Sequence, residues 1–467
     1  MTRKATLVAL LFLTLALAAV YITTSGIQAS VRQDTAVRQP PAAPPLTPPQ
    51  LAAAWDGEHV SWPVPPLIRH ADVEAKIHEV QRATPGLFQV EEVGRSVEGR
   101  SINHIWFGTG PFHVMLWSQM HGDEPTATAA LFDIFEYTRR HRNDPAIARM
   151  LSALTLHVVP MLNPDGAERF VRRNAQGIDI NRDALRLQTP EGLALKALRD
   201  RVKAPIGFNL HNQSWRTEAG KTGQPASISL LSVAFDEART ESAGRVLTKK
   251  ICAVIRDALE PLGPGRVARY DDEFEVRAFG DNLTKWGTSV VLIETGAWPA
   301  AEPDPYLVRL NFVAIMTALD SLATGRVEQA DKRRYETLPI NETNLFYVLI
   351  RNGTVAPGTG VAPFVADVGI VATRGVRMAD GQRVTRLSAR IEDLGDLHTM
   401  GALESIDATG LLLAPLWDSA LTTGDVVSLP DWKTKRAQRI IAQGEPAELV
   451  LLRPEGDRYK VENVIRY

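Results

Sequence analysis

Between Trp62 and Leu322, short apolar runs of strand length alternate with stretches of helical spacing, and this alternation limits the possible folds more than any other feature. LFQVEEVG, INHIWFG, HVMLWSQ, TLHVVP, IGFNL, ISLLSVA and SVVLIE read as strands. Val73, Ile77 and Val80 repeat at helical spacing, and further helices are expected from Glu124, near 237–260 and over PYLVRLNFVAIMTALDSL. Strands interleaved with helices predict an α/β domain over 62–325, a mixed, largely parallel sheet flanked by helices on both faces. After Gly325 the texture changes to short β-branched segments with closely spaced glycines, which predicts a second, β-rich domain over 335–467.

Residues 1–30 carry Arg3 and Lys4 and then a nearly unbroken apolar stretch from Ala5 to Ile22, the pattern of an export signal. The stretch is also long enough to span a bilayer, so a signal cleaved after Ala29 and a retained inner-membrane anchor both fit. Either way the bulk of the chain is expected outside the cytoplasm, in the periplasm or beyond. Residues 31–61, with prolines at 40, 41, 44, 45, 48 and 49, read as an extended tether.

Cys252 is the one cysteine, which excludes an intrachain disulfide, a Cys-rich zinc cluster and a lipoprotein anchor; a metal would have to be held by His, Asp or Glu. With 52 basic against 54 acidic side chains and no long Lys/Arg run, the chain lacks the footprint of a nucleic-acid binder. No GxSxG or HExxH motif is present. Nothing in the sequence sets an oligomeric state.

His121 and Glu124, in QMHGDEPTATAALFDIF, stand where a strand gives way to a helix, and the i, i+3 spacing would put both on one face of the first helical turn. Alone, HxxE is a weak signal, open to a purely structural reading as a strand-end histidine with a glutamate favoured at a helix N-terminus. His211 follows the strand IGFNL, and Glu294 ends SVVLIE. All four groups sit where a strand stops, which is where α/β sheets open their crevices. Two imidazoles and one carboxylate form a three-ligand set that leaves a position for water. Histidines 59, 70, 78, 104, 113, 141, 157 and 398 have no ligand-like context and read as structural or surface residues.

From about Ile68 to Leu322 the chain resembles the zinc carboxypeptidases of the M14 family, through VGRSVEGRSI, HGDE, NPDGAERFVRRN, GIDINRD, NLH and IETG in that order. The resemblance implies one zinc per chain held by His121, Glu124 and His211, with Glu294 as general base. It implies that Arg172 polarises the scissile carbonyl and that Asn181 and Arg182 hold the substrate's terminal carboxylate. Tyr270 is the nearest candidate for the tyrosine that digestive members carry on a mobile loop, and Asp183 stands where some members have asparagine. The C-terminal segments FYVLIRNGTVAPGTGVAPFVADVGIV and ARIEDLGDLHTMGALESIDATGLLLAP resemble the small β-sandwich of the amidohydrolase superfamily, but LWDSALTTGDVV follows without that superfamily's HxH pair, which implies a non-catalytic accessory domain.

The expectation is therefore an exported metallocarboxypeptidase acting on a peptide, or peptide-like, substrate with a free carboxylate. A zinc amidase or deacylase acting on N-acyl amino acids or cell-wall peptides would use the same residues. A catalytically silent peptide-binding protein would be expected to have lost a ligand or the base, and none of the four is missing.

Overall fold

Seven of the strand-like runs and one short addition join in a single mixed sheet. In the computed structural model, which describes residues 44–60, 62, 67–300, 303–380, 382–430 and 437–467, the strands are β1 (Gln89–Arg95), β2 (Ser101–Phe107), β3 (Phe112–Ser118), β4 (Leu154–Val159), β5 (Ile206–Asn212), β6 (Thr217–Ala219), β7 (Ile228–Ser232), β8 (Val267–Arg269) and β9 (Ser289–Thr295). All but β6 line up in the order β1-β2-β4-β3-β5-β9-β7-β8. The neighbours from β4 to β9 run parallel, while β2 on β4 and β7 on β9 run antiparallel. Strands β4 and β7 are buried along their whole length, as continuous apolar runs covered on both faces must be. The export segment 1–30 lies outside the described residues.

Alternate residues of each strand feed two apolar clusters. Val114, Leu116, Phe208, Leu210, Val291 and Ile293 face the larger one, built with the helices α1 (Pro48–Glu58), α2 (His70–Ala83), α3 (Thr126–His141), α4 (Pro145–Ala153), α7 (Ala243–Leu259) and α9 (Pro303–Thr324). Met115, Trp117, Val290 and Leu292 face the smaller one, closed by α6 (Pro190–Val202) and α8 (Phe279–Lys285); the short α5 (Pro164–Arg169) follows β4. The two-residue period of a strand thus decides which face each site residue reaches.

The tether is shorter than expected. Pro48 and Pro49 occupy the first turn of α1, where a missing N–H and a fixed φ cost nothing, so the proline-rich composition disguises a helix start. Leu51, Ala52 and Trp55 are buried in the large cluster. The Trp55 indole N–H and the Val60 amide both donate to the Asp133 carboxylate, each at 2.7 Å. The globular part therefore begins near residue 45 and not at 62.

Beyond α9, β10 (Asn341–Thr343) pairs with β6, and β11 (Phe346–Val355) to β18 (Arg458–Ile465) form the β-rich domain. The strands expected as a sandwich are joined in one hydrogen-bonded sheet of eight, which branches at β11: β14 (Ala402–Asp407) and β15 (Leu412–Pro415) share its edge. Its longest element is the hairpin of β12 (Phe364–Ala379) and β13 (Gln382–Gly395).

Because β4 lies between β2 and β3, three histidines meet in a row. His157 Nδ1 is 3.0 Å from His104 Nε2, His157 Nε2 is 2.9 Å from His113 Nδ1, and His104 Nδ1 meets Glu91 Oε1 at 2.8 Å. Burial, and then the neighbouring imidazoles, push His157 down to about 3. A free imidazole titrates at about 6.5, so the unfolded chain binds more protons than the folded one between these values. The contribution of a neutral His157 is present above pH 6.5 and is lost as the pH falls toward 3. Urea unfolding of the wild type should accordingly show stability dropping from pH 7 to pH 4, with a shallower drop in His157→Gln; equal slopes would show that the row carries no such linkage.

Candidate metal centre and cleft

His121 and Glu124 lie on the turn between β3 and α3. The expected helical first turn is not there: α3 starts at Thr126, and the Glu124 amide closes a turn on the His121 carbonyl at 3.2 Å. Pro125 disfavours the helical conformation at the residue before it, which holds Glu124 in the turn. Gly122 is needed at this point, since a Cβ there would fall on the backbone of Gly166 and Ala167 in α5. His211 comes from the end of β5 and Glu294 from the end of β9, and the two are register partners in adjacent parallel strands. Phe208 and Leu210 face the large cluster, so His211 turns to the opposite face, as does Glu294 next to Ile293.

The three expected ligands converge. His121 Nδ1 is 2.8 Å from Glu124 Oε1 and 3.1 Å from His211 Nδ1, and His211 Nδ1 is 2.8 Å from Glu124 Oε2. All three side chains are buried. The other ring nitrogen of His121 meets Asp179 Oδ1 at 3.1 Å, and Asp179 Oδ2 accepts from Arg172 Nε at 3.0 Å. Arg172 Nη1 also stands 3.1 Å from His121 Nδ1 and 3.4 Å from Glu124 Oε1, so its guanidinium borders the ligand atoms. The adjacent arginines are employed elsewhere: Arg169 pairs with Glu98, and Arg173 donates to the Gly177 carbonyl at 3.0 Å.

The electrostatics of this cluster call for a cation. Burial works against charge on His121, yet the carboxylates of Glu124 and Asp179 outweigh it and lift the imidazole to about 9. Burial alone would raise Glu124, and the two imidazoles instead hold it down at about 2. Two nitrogens and a carboxylate aimed at one point, with Asp179 fixing the far side of one ring, suit zinc in both donor type and number. Among the described residues, neither the buried His211 Nε2 nor the buried Glu294 Oε2 has a hydrogen-bond partner.

Residues 73–242 match the family model described as zinc carboxypeptidase, and this segment contains every ligand and both arginines. Through this segment the chain is similar to the zinc carboxypeptidases. It is 33% identical over 134 residues to carboxypeptidase E of Caenorhabditis elegans, covering 24% of this chain and 28% of that one. It is 30% identical over 143 residues to the human carboxypeptidase N catalytic chain, covering 26% and 31%. The matched segments thus span under a third of those relatives' lengths. Among solved structures, a metallo-carboxypeptidase from Burkholderia cenocepacia aligns at 20% identity and a TM-score of 0.43 over 54% of this chain and 69% of that one.

The remaining expected residues line one cleft, of about 320 Å³, together with His121, Arg172 and Glu294. Burial, and then the charge of Glu124, hold the Glu294 carboxyl well above the ordinary carboxylate range. Asn181 and Arg182 lie on a 3-10 turn capped by Asp179, whose Oδ1 accepts from the Asn181 amide at 2.9 Å. Asn181 Oδ1 accepts from the Phe279 amide at 2.9 Å, which ties this turn to the start of α8. Arg182 Nε lies 3.2 Å from Glu275 Oε2, so a carboxylate of the chain already holds the guanidinium expected to bind one. Tyr270 lines the cleft, raised to about 12 by burial and then by the charge of Glu294. Asp183, the departure noted above, is used locally: its Oδ2 accepts from the Thr189 amide at 2.7 Å and from the Thr189 hydroxyl at 2.8 Å, which secures the entry to α6.

Sequence reasoning missed Asp179 and Glu275. Asp179 was visible as the first acidic residue of DINRD, but its task depends on a turn folding back onto His121. If Asp179 orients His121, Asp179→Ala should weaken zinc binding about 10- to 100-fold, as loss of a carboxylate behind a ligating imidazole typically does. Competition against a chromogenic chelator measures this, and an unchanged zinc affinity would remove Asp179 from the site.

Proposed function

We propose that the protein is an exported zinc-dependent carboxypeptidase that hydrolyses the C-terminal peptide bond of peptides with a free terminal carboxylate. The observation that carries this reading is the cluster of His121, Glu124 and His211, whose His121 lines one cleft with Glu294, Arg172 and the Asn181–Arg182 pair. Zinc bound by the three ligands would supply Lewis acidity to water and carbonyl oxygen at neutral pH. Arg182 and Asn181 would clamp the terminal carboxylate through paired hydrogen bonds, with Glu275 giving way. Arg172 would donate to the carbonyl oxygen as negative charge develops there. Glu294, which lines the cleft and whose proton affinity is raised, would take a proton from the attacking water and return it to the departing amine. The apolar segment of residues 1–30 supports export; recovery of the protein from the soluble cytoplasm on cell fractionation would contradict it.

The test compares the wild type with Glu294→Gln on peptides and N-acyl amino acids, with and without a chelator. The wild type should release C-terminal residues only with metal present, and the variant should keep its zinc while turnover falls at least about 100-fold, the lower range for general acid–base catalysis. Full activity in the variant, or activity in chelator, would sink the mechanism. Release from N-acyl amino acids alone would redirect the reading to a deacylase.

A further inference from the structure

We infer that the segment leading into the β-rich domain forms one wall of the cleft, and that Asn341 binds the peptide main chain on the amino side of the scissile bond. The inference rests on the carboxypeptidase reading and adds a subsite to it.

Strand register sets the geometry. His211, Glu294 and Ser229 form one row across β5, β9 and β7. Two residues before His211 and Glu294 on their strands, Asn209 and Leu292 line the cleft with Leu231, which is the register partner of Leu292. Gly280, at the start of α8, packs beside Asn209, and Asn181 holds the backbone of the neighbouring Phe279. The carboxylate clamp and the room for the terminal side chain therefore lie on this side of the row. Two residues past His211, on the other side, Gln213 lines the cleft with Thr217, Asn341 and Thr343. A step of two strand residues is about 6.6 Å, close to the repeat of an extended peptide. A substrate whose last residue occupies the first side must run its preceding residues along the second.

Asn341 is aimed for this task by a chain of amides. Gln213 Nε2 donates to the Ala226 carbonyl at 2.8 Å and to Ser229 Oγ at 2.9 Å, which leaves Gln213 Oε1 as an acceptor. Asn341 Nδ2 donates to that oxygen at 3.1 Å. The Asn341 carbonyl oxygen then remains for a ligand, and an acceptor in the cleft wall suits a peptide N–H.

The β-rich domain holds this wall in place. Strand β10 pairs with β6, placing Asn341 opposite Ala219 and Thr343 opposite Thr217. Trp215 stacks on Tyr347 with ring centroids 5.7 Å apart, and Arg374 lies over the Trp215 ring at 4.8 Å while bonding both oxygens of Asp304 at 3.0 Å. Arg216 donates to Glu392 at 2.8 Å, and Gly401 packs on the backbone of Gly223 so closely that a Cβ on Gly401 would collide with the Gly223 Cα. The accessory domain is thus a structural part of the cleft.

The experiment compares Asn341→Leu with the wild type on two substrates sharing one C-terminal residue: an N-acyl amino acid, which ends at the scissile amide, and a pentapeptide. Loss of one hydrogen bond to bound peptide should raise KM for the pentapeptide about five- to tenfold with kcat nearly unchanged, and leave the N-acyl amino acid unaffected. Melting temperature reports folding, and Asn341→Ser provides the same comparison should the leucine variant not fold. Equal effects on both substrates, or none on either, would overturn the subsite while leaving the carboxypeptidase reading intact. Failure of the wild type to hydrolyse either substrate would overturn both.

Discussion

Everything in the site depends on Glu124 being buried between two imidazoles. A carboxylate taken out of water is costly unless positive charge accompanies it, and here each oxygen of Glu124 lies 2.8 Å from one imidazole while the two imidazole nitrogens lie 3.1 Å apart. A divalent ion held by His121, Glu124 and His211 would supply that positive charge, and a neutral His121 would then donate its other ring proton to Asp179. That same proton donor is what aligns Asp179 to receive Arg172, so the ligand set and the arginine beside it are parts of one electrostatic arrangement.

The sheet makes this arrangement possible from residues far apart in the chain. His211 and Glu294 become neighbours because β5 and β9 are parallel and in register, and the two-residue period sends both to the face opposite the larger core. On that face the turn after β3, the 3-10 turn at Ile180–Arg182, the segment around Tyr270 and the start of α8 border the cleft. The β-rich domain completes the enclosure through β10, which explains why it is joined to the catalytic region by a strand pair and a cation–π contact instead of a free linker.

Much of this was legible in the sequence, for a physical reason: β5 and β9 are largely apolar, and His211 and Glu294 at their ends are polar where burial would otherwise be unfavourable. The expected ligands and Glu294 stand out by that contrast together with the family motifs. What escaped depends on non-local pairing or on misleading composition. Helix α1 hid behind Pro48 and Pro49, which are helix-compatible only at its first turn. The row of His104, His157 and His113 needs β4 to insert between β2 and β3, an order that no local pattern encodes. Asp179 and Asn341 serve the site through turns and pairings formed only in the folded chain.

Together these residues would act as a metal-dependent exopeptidase. The most direct measurement is mass spectrometry of a defined peptide incubated with the zinc-loaded protein over time. Carboxypeptidase action should give a ladder of products shortened one residue at a time from the carboxyl end, and no product from the same peptide with an amidated terminus. Internal cleavage, or equal trimming of the amidated peptide, would contradict it.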